Sequence, residues 1–310
     1  MANFEKTILI TGSTGFIGKN VSDFLKDKYR LLTPSHRDLD LLSQKDVRNF
    51  FLQNSIDCVI HCANYGGTRK CQGDNGILEK NLRMFFNLAE NSEYYDRFIH
   101  LGSGAEYNKE QGLHLVSEDE FGKNIPKDDY GFSKYVISRS IENSEKLYCL
   151  RLFGIFGKHE DYEFKFISNA IIKNLLHLPV IIRQNVNFSW LYVNDLLPVI
   201  EYFIEKEPVF SCYNITPPGT TDLLSIAQTI NKISDYKSEI IVENKGFNNE
   251  YSGDNSRLSQ EMDGLQFTSM ESSLKELMDY YKTIIPEIDY NTILEDKYAS
   301  LCKINENCNE

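Results

Sequence analysis

Apolar and polar positions alternate in a regular rhythm through the first half of the chain. Thr7-Ile8-Leu9-Ile10 is a short β-branched apolar run that ends in glycine, the pattern of a buried parallel strand. Ile17, Val21, Phe24 and Leu25 then recur at helical spacing and predict a helix over 16–26. The same reading continues with strand 30–33, helix 43–54, strand 57–61, helix 77–93, strand 97–101, helix 129–145 and strand 147–152. Strand–helix alternation of this kind implies right-handed crossovers and an α/β fold with a doubly wound parallel sheet. After about residue 160 the rhythm loosens. Helix 164–176, strand 180–183, the segment 190–204 and helix 221–234 predict a smaller α/β lobe. From Pro286 the chain is polar and acidic with weak periodicity, which predicts a loosely attached tail. The expected division is 1–160, 161–285 and 286–310, with segments near 185–215 returning to complete the first domain.

Composition adds limits. A chain of 310 residues with 41% hydrophobic content can bury a sizeable core and suits one domain plus a smaller lobe. A net charge of −12 with no basic stripe argues against nucleic acid as a partner. It leaves room for a phosphorylated ligand in a local positive pocket. The seven cysteines form no CxxC pattern, and Cys58 and Cys62 flank a predicted buried strand. A reducing, cytoplasmic setting is expected. No metal site is expected, because alternation on a strand would split Cys58, His61 and Cys62 between faces. The first apolar run is four residues long, and no signal peptide or membrane span is predicted.

Two motifs carry chemistry. Thr11-Gly12-Ser13-Thr14-Gly15-Phe16-Ile17-Gly18 joins the first strand to the first helix. Gly12 permits the turn, Gly15 permits close approach of backbone to a pyrophosphate, and Gly18 permits close packing of the helix. The helix N-terminus offers free N–H groups to phosphate. The strand before and the helix after supply the context that a bare glycine pattern lacks. The second motif is Asp129-Tyr130-Gly131-Phe132-Ser133-Lys134. On a helix, Tyr130 and Lys134 share a face one turn apart. A phenol titrates near ~10, and a nearby cation is expected to lower that value and ready it for proton transfer. Taken alone the pair also fits a surface stack. Together with the glycine loop it points to hydride chemistry.

With these motifs the chain resembles the extended short-chain dehydrogenases/reductases, in the nucleotide-sugar epimerase, dehydratase and reductase group, over roughly residues 5–285. The resemblance implies a Rossmann domain that binds its cofactor through Gly12, Thr14, Gly15, Phe16 and Ile17. It implies Tyr130 as general acid and Lys134 as the residue that holds the nicotinamide ribose. In His100-Leu101-Gly102-Ser103-Gly104-Ala105-Glu106-Tyr107, Ser103 matches the family's catalytic Ser/Thr, whose hydroxyl binds the reacting carbonyl oxygen. Ala63 resembles the small residue beside the cofactor, Asn81 the asparagine on the next helix, and Asp40-Leu41 the pair that brackets adenine. Asn214 and Asp254-Asn255-Ser256-Arg257-Leu258 resemble motifs of the sugar-nucleotide lobe. Relatives often form homodimers through the helices matching 77–93 and 129–145.

The departures from the family pattern narrow the chemistry. NAD users usually carry an acid at the end of strand two, where this chain has Ser35, His36 and Arg37. That favours NADPH over NAD, unless Asp38 or Asp40 serves the ribose. The dehydratases' carboxylate pair is replaced by Gly104 and Ala105, with Glu106 one position late. The likeness is strongest to GDP-fucose synthase-like 4-keto sugar reductases, carried by Arg37-Asp38-Leu39-Asp40-Leu41-Leu42 and Ala63-Asn64-Tyr65-Gly66-Gly67. Their epimerising cysteine and histidine fall on Ala105 and near Ser168, so reduction without epimerisation is expected. Gly154 stands where asparagine is common, and Phe188 where an arginine for the diphosphate is common. Arg183, Arg257, Arg69 and Lys70 are the replacement candidates, and Gly104 also faces the substrate in this reading. The expected substrate is a nucleotide-linked 4-keto-6-deoxy sugar, GDP favoured, with CDP or dTDP as alternatives. The rivals are an NAD-dependent 4-epimerase or dehydrogenase, a reductase of steroids or flavonoids, and a non-enzymatic NADP-binding sensor.

Overall fold

Of the 16 residues in the strands Thr7–Thr11, Cys58–His61 and Arg97–Ser103, 14 are buried, and the fold is built on that burial. The computed structural model describes residues 5–67 and 75–306. Its strands in chain order are β1 (Thr7–Thr11), β2 (Arg30–Leu32), β3 (Cys58–His61), β4 (Arg97–Ser103), β5 (Leu113–Val116), β6 (Leu147–Leu152), β7 (Gly154–Phe156), β8 (Val180–Asn185), β9 (Asn187–Phe188), β10 (Trp190–Tyr192), β11 (Cys212–Ile215), β12 (Thr221–Asp222), β13 (Ile240–Phe247) and β14 (Tyr251–Gly253). Its helices are α1 (Phe16–Leu25), α2 (Gln44–Gln53), α3 (Ile77–Ala89), α4 (Asp129–Ile141), α5 (Phe166–Leu175), α6 (Val193–Glu205), α7 (Leu223–Ile233), α8 (Ser256–Glu261), α9 (Met270–Ile284), α10 (Tyr290–Leu294) and α11 (Lys297–Ser300).

Thr11, His61, His100 and Ser103 are buried polar residues of β1, β3 and β4.

Strands β11, β6, β4, β3, β1 and β2 pair in parallel in that order. Being covered on both faces, β1, β3, β4 and β6 are nearly continuous buried runs. Helices α1 and α6 pack on one face, through Val21, Leu25, Leu196, Val199, Ile200 and Phe203. Helices α2, α3 and α4 pack on the other, through Val47, Phe51, Phe85, Leu88, Ile137 and Ile141. The result is the expected three-layer, doubly wound sheet. Chain direction across the sheet reverses between β1 and β3, and in such sheets ligands bind beyond the strand ends at that point.

Local chemistry sets the element ends that matter for the site. Asp128 caps α4 by accepting the Gly131 N–H at 3.0 Å, which places Tyr130 in the first turn. The helix stops at Ile141, short of the expected 145, because the Ser144 hydroxyl accepts the N–H groups of Lys146 and Leu147 and forms a turn. Strand β4 runs two residues past its predicted end, so that Ser103, paired with Leu152, is its last residue.

The second half builds a lobe around α5, α7, α9 and the parallel pair β8–β13. A four-stranded sheet, β12-β9-β14-β5, joins this lobe to the first. The tail departs from expectation, because residues 286–306 are docked rather than loose. Ile293, Tyr298 and Ala299 are buried in the lobe's core. Lys173 pairs with Asp296, and Gln184 exchanges two hydrogen bonds with the backbone of Asn305. Helices as short as α10 and α11 carry too few residues to show a period in sequence.

Candidate active site

The glycine loop lies at the reversal point. Gly12 adopts φ +67°, and a Cβ there would stand 2.7 Å from the Ala63 backbone at the end of β3. A Cβ on Gly18 would stand 2.2 Å from the Gly12 carbonyl oxygen, so glycine lets α1 start hard against the loop. Among the described residues the nearest neighbour over Gly15 is 3.4 Å away, and no side chain caps α1. Thr14 and Gly15 are exposed, with Phe16 and Ile17 half-buried behind them. Bare helix-start amides beneath an open glycine fit the pyrophosphate of a dinucleotide. Thr11 shares a 2.8 Å hydrogen bond with His61 Nδ1 and accepts the Ala63 N–H at 3.3 Å, which ties β1 to β3 under the loop.

Past β2, Ser35, His36 and Arg37 are exposed. The Asp38 carboxylate turns back and accepts the Ser35 N–H at 3.0 Å and its hydroxyl at 2.6 Å. These bonds hold it below the usual carboxylate range. Asp40 accepts the Leu42 N–H at 3.0 Å, and Asn87 on α3 holds the Leu41 carbonyl at 2.8 Å. Asp40 and Leu41 thus sit on a loop braced against α3.

Ser103, Tyr130 and Lys134 come together where β4 meets α4. Lys134 is buried and donates to the Leu101 carbonyl at 2.8 Å, with His100 Nε2 at 3.5 Å. Its ammonium lies 5.9 Å from the centre of the Tyr130 ring. Burial pulls its pKa down to about 8. The Tyr130 phenol is pushed up to about 12 by burial, partly opposed by the Ser103 hydroxyl. The phenol is thus raised where the Tyr130–Lys134 spacing predicts a lowering: the ammonium is directed at a strand carbonyl, and desolvation dominates in the free protein. His61 and His100 are buried and held neutral, with His61 pulled down to about 3.

Asn81 clamps a loop. Its amide accepts the Tyr65 N–H and donates to the Tyr65 carbonyl, both at 2.8 Å. That loop carries Gly67, at φ +83°, against the Tyr130 ring, where a Cβ would stand 2.6 Å from the ring edge. Glu106 lies behind the site. It accepts the Ser103 N–H and Arg151 Nε, both at 2.8 Å, and is fully buried. Arg151 in turn donates to Tyr107 and Ser138. Glu106 is thus a fixture beneath Ser103 rather than a carboxylate facing the cleft.

A cleft of about 1500 Å³ opens in front, bordered by Gly67, Tyr130, Arg183, Phe188, Tyr251 and Lys303. Arg183 pairs with Glu243, and its buried Nε has no partner among the described residues. Asn214 and Arg257 lie elsewhere. Asn214 is fully buried, accepting from Tyr107 at 2.7 Å and donating to the Val116 carbonyl at 2.9 Å. Arg257 bonds the Cys212 carbonyl and Asp119 and stacks on Phe210. Neither borders the cleft. Gly104 packs beneath Phe153 and Tyr251. At Gly154 the space that a side chain would fill is occupied by the Trp190 ring, 2.9 Å from an added Cβ. Arg69 and Lys70 fall outside the described residues.

Sequence reasoning missed Tyr251 and the tail's share of the cleft. Tyr251 sits in a polar stretch with no period of its own. It reaches Ser103 because β14 pairs with both β5 and β9.

A parallel sheet with a dinucleotide cradle at its reversal point, and a Ser–Tyr–Lys set beside a cleft, define an NAD(P)-dependent oxidoreductase. The chain belongs to the NAD dependent epimerase/dehydratase family, whose model matches residues 8–216. It is a nucleotide-sugar-modifying enzyme of the extended short-chain dehydrogenase/reductase type. It is 32% identical over 224 residues to GDP-L-colitose synthase of Yersinia pseudotuberculosis, covering 64% of this chain and 72% of that one. It is 24% identical over 316 residues to a trifunctional UDP-glucose 4,6-dehydratase/UDP-4-keto-6-deoxy-D-glucose 3,5-epimerase/UDP-4-keto-L-rhamnose-reductase of Arabidopsis thaliana, covering 89% of this chain and 47% of that protein. The chain thus spans about half the length of the latter. Its fold matches the GDP-mannoheptose C4 reductase of Campylobacter jejuni with NADP bound, at TM-score 0.78 and 17% identity, over 91% of this chain and 100% of that one. Among the described residues no helix is long and apolar enough to cross a membrane.

Proposed function

We propose that the protein reduces the 4-keto group of a nucleotide-linked 4-keto-6-deoxy sugar with NADPH, without epimerisation, and that GDP is the favoured nucleotide. The observation that carries the reading is the meeting of Ser103 with Tyr130, which borders the cleft, and the lack of a second acid–base pair at the positions where the family's epimerising groups would stand. Ala105 is buried at 2% exposure, and Ser168 is fully buried, its hydroxyl donating to Glu160 at 2.5 Å. A dehydratase role is disfavoured because Gly104 and Ala105 carry no acid and Glu106 is held by Arg151.

In this mechanism Gly12, Gly15 and the start of α1 would hold the pyrophosphate, and Lys134 would hold the nicotinamide ribose. NADPH held there would supply the hydride for the reduction. Tyr130 gives its proton to the carbonyl oxygen, and Ser103 donates a hydrogen bond to the same oxygen. The Lys134 ammonium, one helical turn away, eases the negative charge left on Tyr130. Arg183 is the cleft's candidate for the diphosphate. The exposed Ser35, His36 and Arg37, with Asp38 folded back onto Ser35, support NADPH over NAD. GDP is favoured by the relationship to GDP-L-colitose synthase.

The test is a panel of GDP-, CDP-, UDP- and dTDP-linked 4-keto-6-deoxy sugars, followed by loss of NADPH absorbance. The GDP-linked sugar should be reduced fastest, with a single C4 alcohol as product. Protein that purifies with tightly held NAD(H) and interconverts sugars without net NADPH use would instead be an epimerase. We also propose a homodimer paired through α3 and α4. Light scattering should give twice the 35.9 kDa chain mass, and a monomeric mass would contradict the pairing.

A further inference from the structure

Tyr251 brings a second phenol to the reacting centre. Its hydroxyl lies 3.4 Å from Ser103 Oγ, and it borders the same cleft as Tyr130. Three features hold it there. Its ring packs against Phe153 and Phe188, with centroids 5.3 and 5.9 Å apart. Its backbone is paired on both sides, to Leu113 and to Phe188. Gly104 leaves the space it occupies, since a Cβ on residue 104 would stand 2.7 Å from the Tyr251 oxygen.

The hydrogen-bond inventory of Ser103 gives this placement a consequence. A serine hydroxyl has two lone pairs and one proton. One lone pair accepts the Ala105 N–H at 3.2 Å. If Tyr251 donates to the other, the single proton is left for Tyr130 or for the substrate's carbonyl oxygen. We propose that Tyr251 is a positioning residue that donates to Ser103 and so directs the serine proton into the reacting centre. A hydroxyl that accepts a hydrogen bond also becomes a stronger donor. The 3.4 Å separation is long, as catalytic hydrogen bonds often are before substrate binds, and should tighten in the complex.

The inference rests on the reductase reading for its effect on rate but not for its effect on the free protein, and the test uses both. In protein carrying ring-labelled tyrosine, the Tyr130 Cζ resonance, assigned by its loss in Tyr130→Phe, is recorded for wild type, Tyr251→Phe, Ser103→Ala and the double variant. Tyr251→Phe should move that resonance in the direction that Ser103→Ala moves it, and the double variant should coincide with Ser103→Ala. With NADPH and the GDP-linked 4-keto-6-deoxy sugar, Tyr251→Phe should lower kcat about ten-fold, the scale of one hydrogen bond, with KM little changed. The double variant should be no slower than Ser103→Ala alone. Phenylalanine keeps the ring packing, so a folding defect is not expected. An unmoved Tyr130 resonance in Tyr251→Phe, or rate losses that multiply in the double variant, would overturn the proposal. If the resonance moves as expected but no sugar in the panel is reduced, the reductase reading fails and the role of Tyr251 stands.

Discussion

Burial moves Tyr130 and Lys134 in opposite directions, the phenol up to about 12 and the ammonium down to about 8. Each shift disfavours the charged form, as desolvation requires. Near neutrality Tyr130 is therefore protonated and ready to donate, while Lys134 is mostly charged. As pH rises, Lys134 loses its proton first, and with it the charge that would stabilise the phenolate formed at Tyr130. kcat/KM, which reports the free enzyme's ionisations, should fall with an apparent pKa near 8. Lys134→Met should be slow throughout and lack that descending limb. A limb that persisted in the variant would assign it to another group. The pairing of Tyr130 with Lys134 was legible from their spacing. The directions of their shifts were not, because they depend on burial and on the Leu101 carbonyl that Lys134 meets.

At the scale of elements, most of the first domain was legible because each strand and helix carries its own period. The glycine loop was legible for the same reason, with turn, phosphate approach and helix packing encoded in adjacent residues. Ser103 was found by its distance from Tyr107, and β4 does end there. What escaped depended on partners distant in sequence. Strand β14 is three residues long, and Tyr251 matters only because β5 and β9 flank it. Glu106 stands one position late for a dehydratase's acid, and what fixes it is Arg151 on the neighbouring β6. Asn214 and Arg257 matched family motifs, yet their side chains brace the structure away from the cleft.

At the scale of the whole molecule, the cleft is made by both halves of the chain. The first domain brings Gly67 and Tyr130, with Ser103 just behind, and the second brings Arg183, Tyr251 and the docked tail with Lys303. The tail's polar composition suggested a free end, but Ile293 and Tyr298 suffice to seat it. The central claim is that Tyr130 is the proton donor in this shared cleft. Its most direct test is turnover of Tyr130→Phe with NADPH and the GDP-linked 4-keto-6-deoxy sugar, alongside NADP binding by fluorescence titration. Loss of a general acid should lower kcat by about 10²–10⁴-fold while leaving the NADP dissociation constant close to that of wild type. A Tyr130→Phe enzyme that kept full turnover would contradict the account.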